Sequence, residues 1–377
     1  MKICLVTLSY PLFVDGISKN VFELSLELAK DGNEVTVFYP SDIPPIRKHY
    51  KNVHSCRVFS LGRPLGNPIL PTLFYHMLRS NCDLIHSHDG FFSGTLIAFV
   101  VSKIKNKPFI VTHHTNPLNY SNFFLKLLQS AYMKYIMRAM YSNSSIVLVP
   151  NEENKCILQS MGIKNVSVLR YGIHPEIYKN CTPSRLEDIR DRFGIKNGDR
   201  VLLFVGRFVK RKGILNLLEV YKNVLRENKN TKLILVGDGP LMSNVRKFIK
   251  ENHFESNVIL TGYIGFDEVA LMYKISDLTV VPSLEGETQC IVLLESILSG
   301  TPIVASDLAV FKNLVTTHVG LSSSLGDTAE MSEKIIHLLN NKSELDRLNG
   351  NCLNTDLSQF YWENVIKELN GVYHKFV

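Results

Sequence analysis

A strand, helix, strand pattern runs once along this chain, stops, and starts again, and nothing else in the sequence constrains the fold as tightly. Residues 2–7 are apolar enough for a buried strand, and Ile17, Val21, Leu24 and Leu28 then share one face of a helix ending at Lys30. Gly32 suits a C-terminal cap, and residues 34–38 are apolar again. That spacing makes a parallel strand pair joined by a crossover helix. Further short apolar runs lie at 84–86, 109–112, 146–149 and 166–169. After a polar, proline-containing stretch at 179–198 the pattern restarts, with strands at 201–205, 232–236, 258–260, 278–281 and 303–305 and helices at 214–227 and 241–252. The fold class expected is α/β, with two Rossmann-like doubly wound domains, 1–178 and 179–357, facing a central cleft. Ligands of such sheets bind beyond the carboxyl ends of the strands.

Composition narrows the class. Of 377 residues, 45% are hydrophobic and 20% charged, which excludes a disordered chain. The net charge of +7 belongs to the first half, where residues 1–180 hold 19 Lys and Arg against 11 Asp and Glu. Between Gly90 and Asn151 there is no acidic residue, while Lys103, Lys105, Lys107, Lys126, Lys134 and Arg138 fall there. Such a field favours an anionic partner, with no motif for nucleic acid. The longest uncharged apolar run, residues 91–101, is short of the ~20 residues a membrane span needs. The opening MKICLVTLSYP lacks a small-residue cleavage site, so a cytosolic protein is expected. Seven scattered cysteines contain no C-x-x-C pair and read as reduced thiols.

Neither usual nucleotide fingerprint is present, G-x-G-x-x-G or G-x-x-x-x-G-K-[ST], which disfavours a dehydrogenase or a P-loop NTPase. What stands after strand 201–205 is Gly206-Arg207 and Lys212-Gly213, where a planar guanidinium fork and a compact ammonium at a helix entrance suit a diphosphate. The segment PSLEGETQCIVLLESILSGTP at 282–302 reads as strand end, loop and helix. The backbone N–H groups of Gln289, Cys290 and Ile291 then sit at the positive helix end, available to phosphate oxygens. Glu295 lies five residues beyond Cys290, or ~7.5 Å along a helix, about the reach from a diphosphate to its ribose. Glu287 in the loop can accept hydroxyls beyond the phosphate.

Glu287 and Glu295 form E-x7-E. In order around them stand DLIHSHD (83–89), VTHH (111–114), GRFVKRKG (206–213), GDGP (237–240), TGY (261–263), SGTPIVA (299–305) and FYWE (360–363). Together these resemble the retaining glycosyltransferases of family 4, which have the GT-B fold, over nearly the whole chain. The resemblance implies that Arg207 and Lys212 hold the donor diphosphate, that Gly16 lets a first-domain loop approach it, and that Glu295 binds ribose. It adds Gly237 and Tyr263 to the donor-binding residues, gives Glu287 the hydroxyls of the donor sugar, and sets His114 near the reaction centre. His113 would point away, since successive residues beyond a strand alternate sides. The terminal segment 358–377 would pack back on the first domain. Two departures are Asp15, where the family usually has a second glycine, and Tyr171-Gly172-Ile173-His174, where it has N-G-x-D. Glu285 rivals Glu287, and only spacing separates them.

The activity implied is transfer of a hexosyl unit from a nucleotide diphosphate sugar to an acceptor hydroxyl with retention. No carboxylate is placed as a nucleophile, which favours a front-face reaction, and domain closure would expel water. No cofactor is expected, and no metal: there is no D-x-D, and His86 and His88 lack a third ligand. The rivals are a GT-B-like sugar-nucleotide epimerase or phosphorylase, and a binding module without turnover. The resemblance associates the E-T-Q after Gly286 with family members that glycosylate lipids, so a glycan or lipid acceptor is expected, and a protein peripheral on the cytosolic face of the membrane. The stretch from Phe123 to Met140 reads as a helix with Phe124, Leu128, Tyr135 and Ala139 toward the core. Lys126, Lys134 and Arg138 would then share an outer arc with Phe123, Leu127 and Met137, facing an anionic membrane.

Overall fold

Strand β1 (Lys2–Val6) is buried at four of its five residues and pairs in parallel on both sides, with β2 (Glu34–Pro40) and β4 (Leu84–His88). It is thus the hinge of a doubly wound sheet. In this computed structural model, which describes every residue except 9, 11–15, 45–47, 65–66, 89–92, 115–121, 180 and 313, the chain divides into two units. The first is Met1–Gly172 with Gln359–Val377, and the second is Ile173–Ser358.

In the first unit β3 (Val53–Val58), β5 (Phe109–Thr112), β6 (Ile146–Val149) and β7 (Val166–Val168) complete a seven-stranded sheet of order β3-β2-β1-β4-β5-β6-β7, all parallel. Helix α1 (Gly16–Lys30) buries Val21, Leu24 and Leu28, and Gly32 follows at φ +85°, the left-handed geometry of a cap. Helices α2 (Leu73–Arg79) and α3 (Ser93–Ile104) come next, then α4 (Phe123–Ala131), a π-helical turn Tyr132–Met137, α5 (Arg138–Ser142) and α6 (Glu152–Ser160). The last helix of the chain, treated with this unit, packs on α1. There Trp362 lies over Gly172, where a Cβ would come within 2.1 Å of the indole, and its Nε1 donates to Glu23 Oε2 at 3.2 Å.

The stretch around α4 corrects the sequence reading. Phe124, Leu128 and Tyr135, expected to face the core, are 64%, 50% and 64% exposed, and Met137, expected outside, is fully buried. No residue of α4 is buried. The π-turn inserts an extra residue into the helical repeat, so the phase before it does not carry through to Met137.

In the second unit short helices α7 (Pro175–Lys179) and α8 (Pro183–Arg192) precede the sheet. Its strands are β8 (Arg200–Val205), β9 (Thr231–Val236), β10 (Val258–Gly262), β11 (Leu278–Val281), β12 (Ile303–Ser306) and β13 (Gly320–Ser323), in the order β10-β9-β8-β11-β12-β13. Helices α9 (Ile214–Glu227), α10 (Met242–Glu251), α11 (Phe266–Ile275), α12 (Ile291–Ser299), α13 (Thr328–Asn340) and α14 (Lys342–Asn354) cover it, and α15 (Trp362–Tyr373) closes the chain. Ile214, Leu217, Leu218 and Tyr221 of α9 are fully buried, the i, i+3, i+4, i+7 stripe of a core-facing helix. Residues 173–178, read from sequence as first domain, belong here because Tyr178 bonds Glu295 and packs on Tyr273. The strand order reverses between β8 and β11, which makes the loops beyond their carboxyl ends the place for a ligand.

Candidate functional site

Three loops meet at that switch point, after β8, β9 and β11, and glycine is what lets them meet. Gly213 has φ +67°, and a Cβ on it would stand 1.9 Å from the carbonyl oxygen of Pro282. Gly237, at φ +124°, would clash likewise with the Gly206 carbonyl at 2.1 Å. Backbone bonds tie the same loops: Leu284 N–H donates to Arg211 O at 2.8 Å, and Phe208 N–H to Asp238 O at 2.8 Å. The glycines of GRFVKRKG and GDGP are therefore packing requirements before they are anything else.

On this scaffold Lys212 Nζ lies 2.6 Å from Glu287 Oε1, with side chains only 17% and 6% exposed. Ser283 Oγ donates to the same carboxylate oxygen at 2.8 Å, and Arg211 stands 4.0 Å away. Burial pushes the Glu287 pKa up, but the Lys212 charge and hydrogen bond, with Arg211 and Ser283, outweigh it and hold the carboxyl below its ordinary range. Glu285 is exposed, so Glu287 is the carboxylate gathered into the loop cluster. Arg207 is exposed. Tyr263 is 57% exposed beyond β10.

Helix α12 begins with Cys290 as its N-cap and has no side-chain cap, and Gln289 precedes it half-buried. Ile291 is the first helical residue, so the helix entrance lies where the sequence places it. Burial lifts the Cys290 thiol to about 12, which keeps it protonated. One turn on, Glu295 is only 5% exposed, and its two carboxylate oxygens each accept a tyrosine hydroxyl, Tyr178 at 2.7 Å and Tyr273 at 2.8 Å. Sequence reasoning missed both tyrosines, which lie 117 and 22 residues away. It also missed Ser283 and Arg211, although Arg211 stands within the basic run that was read.

In the first unit Gly16 opens α1, exposed, with nothing within 4 Å of a would-be Cβ, and Asp15 lies outside the described residues. His114 is 1% exposed and holds both ring nitrogens in hydrogen bonds, Nδ1 with Tyr171 Oη at 2.6 Å and Nε2 with His88 Nδ1 at 2.9 Å. His113 turns the other way, to Tyr141 Oη at 2.9 Å. His86 bonds Tyr373 and Thr112, each at 2.7 Å. Burial drives all four histidines toward the neutral form, His86 to about 3 and His113 to about 4, His88 and His114 well below the ordinary value with the neighbouring histidines adding to it. No group of three His, Cys, Asp or Glu among the described residues could hold a metal ion.

Comparison with known proteins gives this constellation a family. Residues 186–352 match Glycosyl transferases group 1, and residues 14–177 match Glycosyltransferase Family 4. An alpha-monoglucosyldiacylglycerol synthase of Streptococcus pneumoniae is 28% identical over 331 residues, 84% of this chain and 73% of that protein. The synthase of the same name from Acholeplasma laidlawii is 25% identical over 93% of this chain and 92% of its own length. Among solved structures, Anabaena HepE in complex with UDP superposes with a TM-score of 0.80 at 16% identity, over 100% of both chains. The chain belongs to the glycosyltransferases of family 4, with the GT-B fold.

Proposed function

We propose that this glycosyltransferase moves a hexosyl unit, with retention and without a metal ion, from a nucleotide diphosphate sugar to the hydroxyl of a lipid or lipid-linked acceptor. One observation carries the donor half of the reading: Lys212 and Glu287, 2.6 Å apart, sit at the switch-point loops in front of α12, whose first turn has no side-chain cap. The bond that breaks leaves positive charge on the sugar and negative charge on the diphosphate, so preorganised cations and helix N–H groups aimed at the leaving group supply the main stabilisation. In this reading Lys212, Arg207 and the helix entrance at Gln289, Cys290 and Ile291 take the diphosphate, with Gly16, Gly237 and Tyr263 bordering the donor. Glu287 takes sugar hydroxyls and Glu295 takes ribose. His114 lends its neutral ring and backbone near the sugar, since its ring nitrogens already serve Tyr171 and His88.

The acceptor half rests on α4. Phe123, Phe124 and Leu127 are 80%, 64% and 55% exposed beside Lys126 and Lys134, in a segment without acidic residues. An apolar helix face with interleaved cations suits an anionic lipid surface, at ~1 kcal/mol per basic residue, and would hold the protein peripherally at the cytosolic face. No helix among the described residues is long and apolar enough to cross a membrane. The two relatives named for monoglucosyldiacylglycerol synthesis point to the same acceptor class.

A screen of sugar nucleotides with diacylglycerol-containing anionic vesicles, in excess EDTA, reads release of free nucleoside diphosphate. Acceptor-dependent release that survives EDTA is expected. Loss of activity restored by Mn²⁺ or Mg²⁺ would overturn the metal-free mechanism. Conversion of the donor without any acceptor would mean an epimerase.

A further inference from the structure

Glu295 is a carboxylate in an apolar place. Its helix neighbours Leu293, Leu294, Ile297 and Leu298 are all buried, and it is itself only 5% exposed. A hydrocarbon side chain would pack there without the desolvation cost of an ion, so stability does not account for the choice. The groups that hold it come from two other helices. Tyr178 of α7 donates to Oε1 at 2.7 Å and Tyr273 of α11 to Oε2 at 2.8 Å, with the rings 1% and 0% exposed. The two rings pack edge to face, 6.2 Å between centroids. One donor on each oxygen fixes the rotation of the carboxylate about its last bond.

We propose that Tyr178 and Tyr273 are positioning residues of the ribose subsite, holding Glu295 as an oriented acceptor that selects a ribonucleoside diphosphate over its 2′-deoxy counterpart. This rests on the reading of Glu295 as the ribose carboxylate. Burial, then the Glu295 charge, pushes the Tyr273 phenol well above the ordinary tyrosine range, so it stays a donor. A carboxylate whose oxygens are both fixed by donors offers acceptance alone. A vicinal diol brings two hydroxyl donors at matching separation, and a deoxy sugar brings one too few. A site built to bond a hydroxyl rejects the analogue without it more strongly than an apolar pocket could.

The test uses the full-length protein with UDP, ADP and GDP, each beside its 2′-deoxy form, and takes the ratio of dissociation constants for the pair whose ribo form binds best. The wild type should prefer the ribo form by at least about tenfold. Tyr178→Phe and Tyr273→Phe should each lower that preference by about tenfold or abolish it, about 1.4 kcal/mol, while affinity for the deoxy form stays unchanged. The ratio is independent of the folded fraction, so partial unfolding of a variant does not mimic the effect. Variants that keep the wild-type ratio while Glu295→Ala loses it would overturn the proposal and leave the subsite in place. If Glu295→Ala also keeps the ratio, the ribose reading of Glu295 falls, and this proposal with it.

Discussion

At the scale of single residues, the state of Lys212 before a donor arrives is decided by Glu287. The pair neutralises itself at 2.6 Å, so a diphosphate has to draw the ammonium away from one anion toward another. Arg207, being exposed, gives up mainly water in doing the same. Lys212→Ala and Arg207→Ala should each lower kcat/KM by at least ~100-fold, about 2.7 kcal/mol of transition-state stabilisation. Lys212→Ala should in addition lower the melting temperature, since it leaves Glu287 buried without its cation. Steady-state kinetics check both, and wild-type turnover in either protein would remove that residue from the diphosphate site. Lys212, Glu287 and Glu295 were legible because loop and helix spacing alone bring them near a helix entrance. Tyr178, Tyr273 and His88 were not, because a hydroxyl or imidazole 22 to 117 residues away from its partner carries no local signal.

Elements show where periodicity holds and where it breaks. The loop after β8 closes on the loop after β11 only because residue 213 has no side chain, so Gly213→Ala should cost at least ~2 kcal/mol of stability and displace Lys212 with it. Urea unfolding checks the first effect and donor affinity the second, and an unchanged midpoint would contradict the packing argument. Helix α1 buries Val21, Leu24 and Leu28 of the stripe read from sequence because it lies against a sheet. Helix α4 does not follow its stripe, since it is apolar without being buried, and the π-turn after it shifts the phase. Replacing Phe123, Phe124 and Leu127 together by Ser should abolish binding to anionic vesicles with little effect on stability, as these side chains are already in solvent. Co-sedimentation at low and high salt reads the outcome, and undiminished binding would place the membrane contact elsewhere. Strands β3 and β13 escaped notice for a related reason. Both are edges, and sequences such as VHSCRV and GLSS keep polar residues where a central strand would bury apolar ones.

For the molecule as a whole, four buried neutral histidines set a pH limit. An ordinary histidine titrates near 6.5, while His86 and His113 in the fold sit at about 3 and about 4. The unfolded chain therefore binds more protons in between, and stability rises with pH. It should be complete above about pH 6.5 and fall as pH drops toward 4, by roughly 1 kcal/mol per histidine for each pH unit. Urea midpoints at pH 7.5 and 5.5 test the sign, and equal midpoints would mean that these histidines are not held neutral. Protonation of Glu287 adds a loss in the same direction only below its ordinary carboxylate range. By itself the sequence determined the two sheets, the glycine-bearing loops at their switch points and the E-x7-E helix, because strand and helix periodicities and tight turns are local properties of the chain. Only the tertiary structure decided that Lys212 pairs with Glu287, that Glu295 is clamped by two tyrosines, that His114 spends both ring nitrogens on the protein, and that α4 stays uncovered. Those outcomes depend on which distant side chains share a buried volume, where each polar atom has to find a partner.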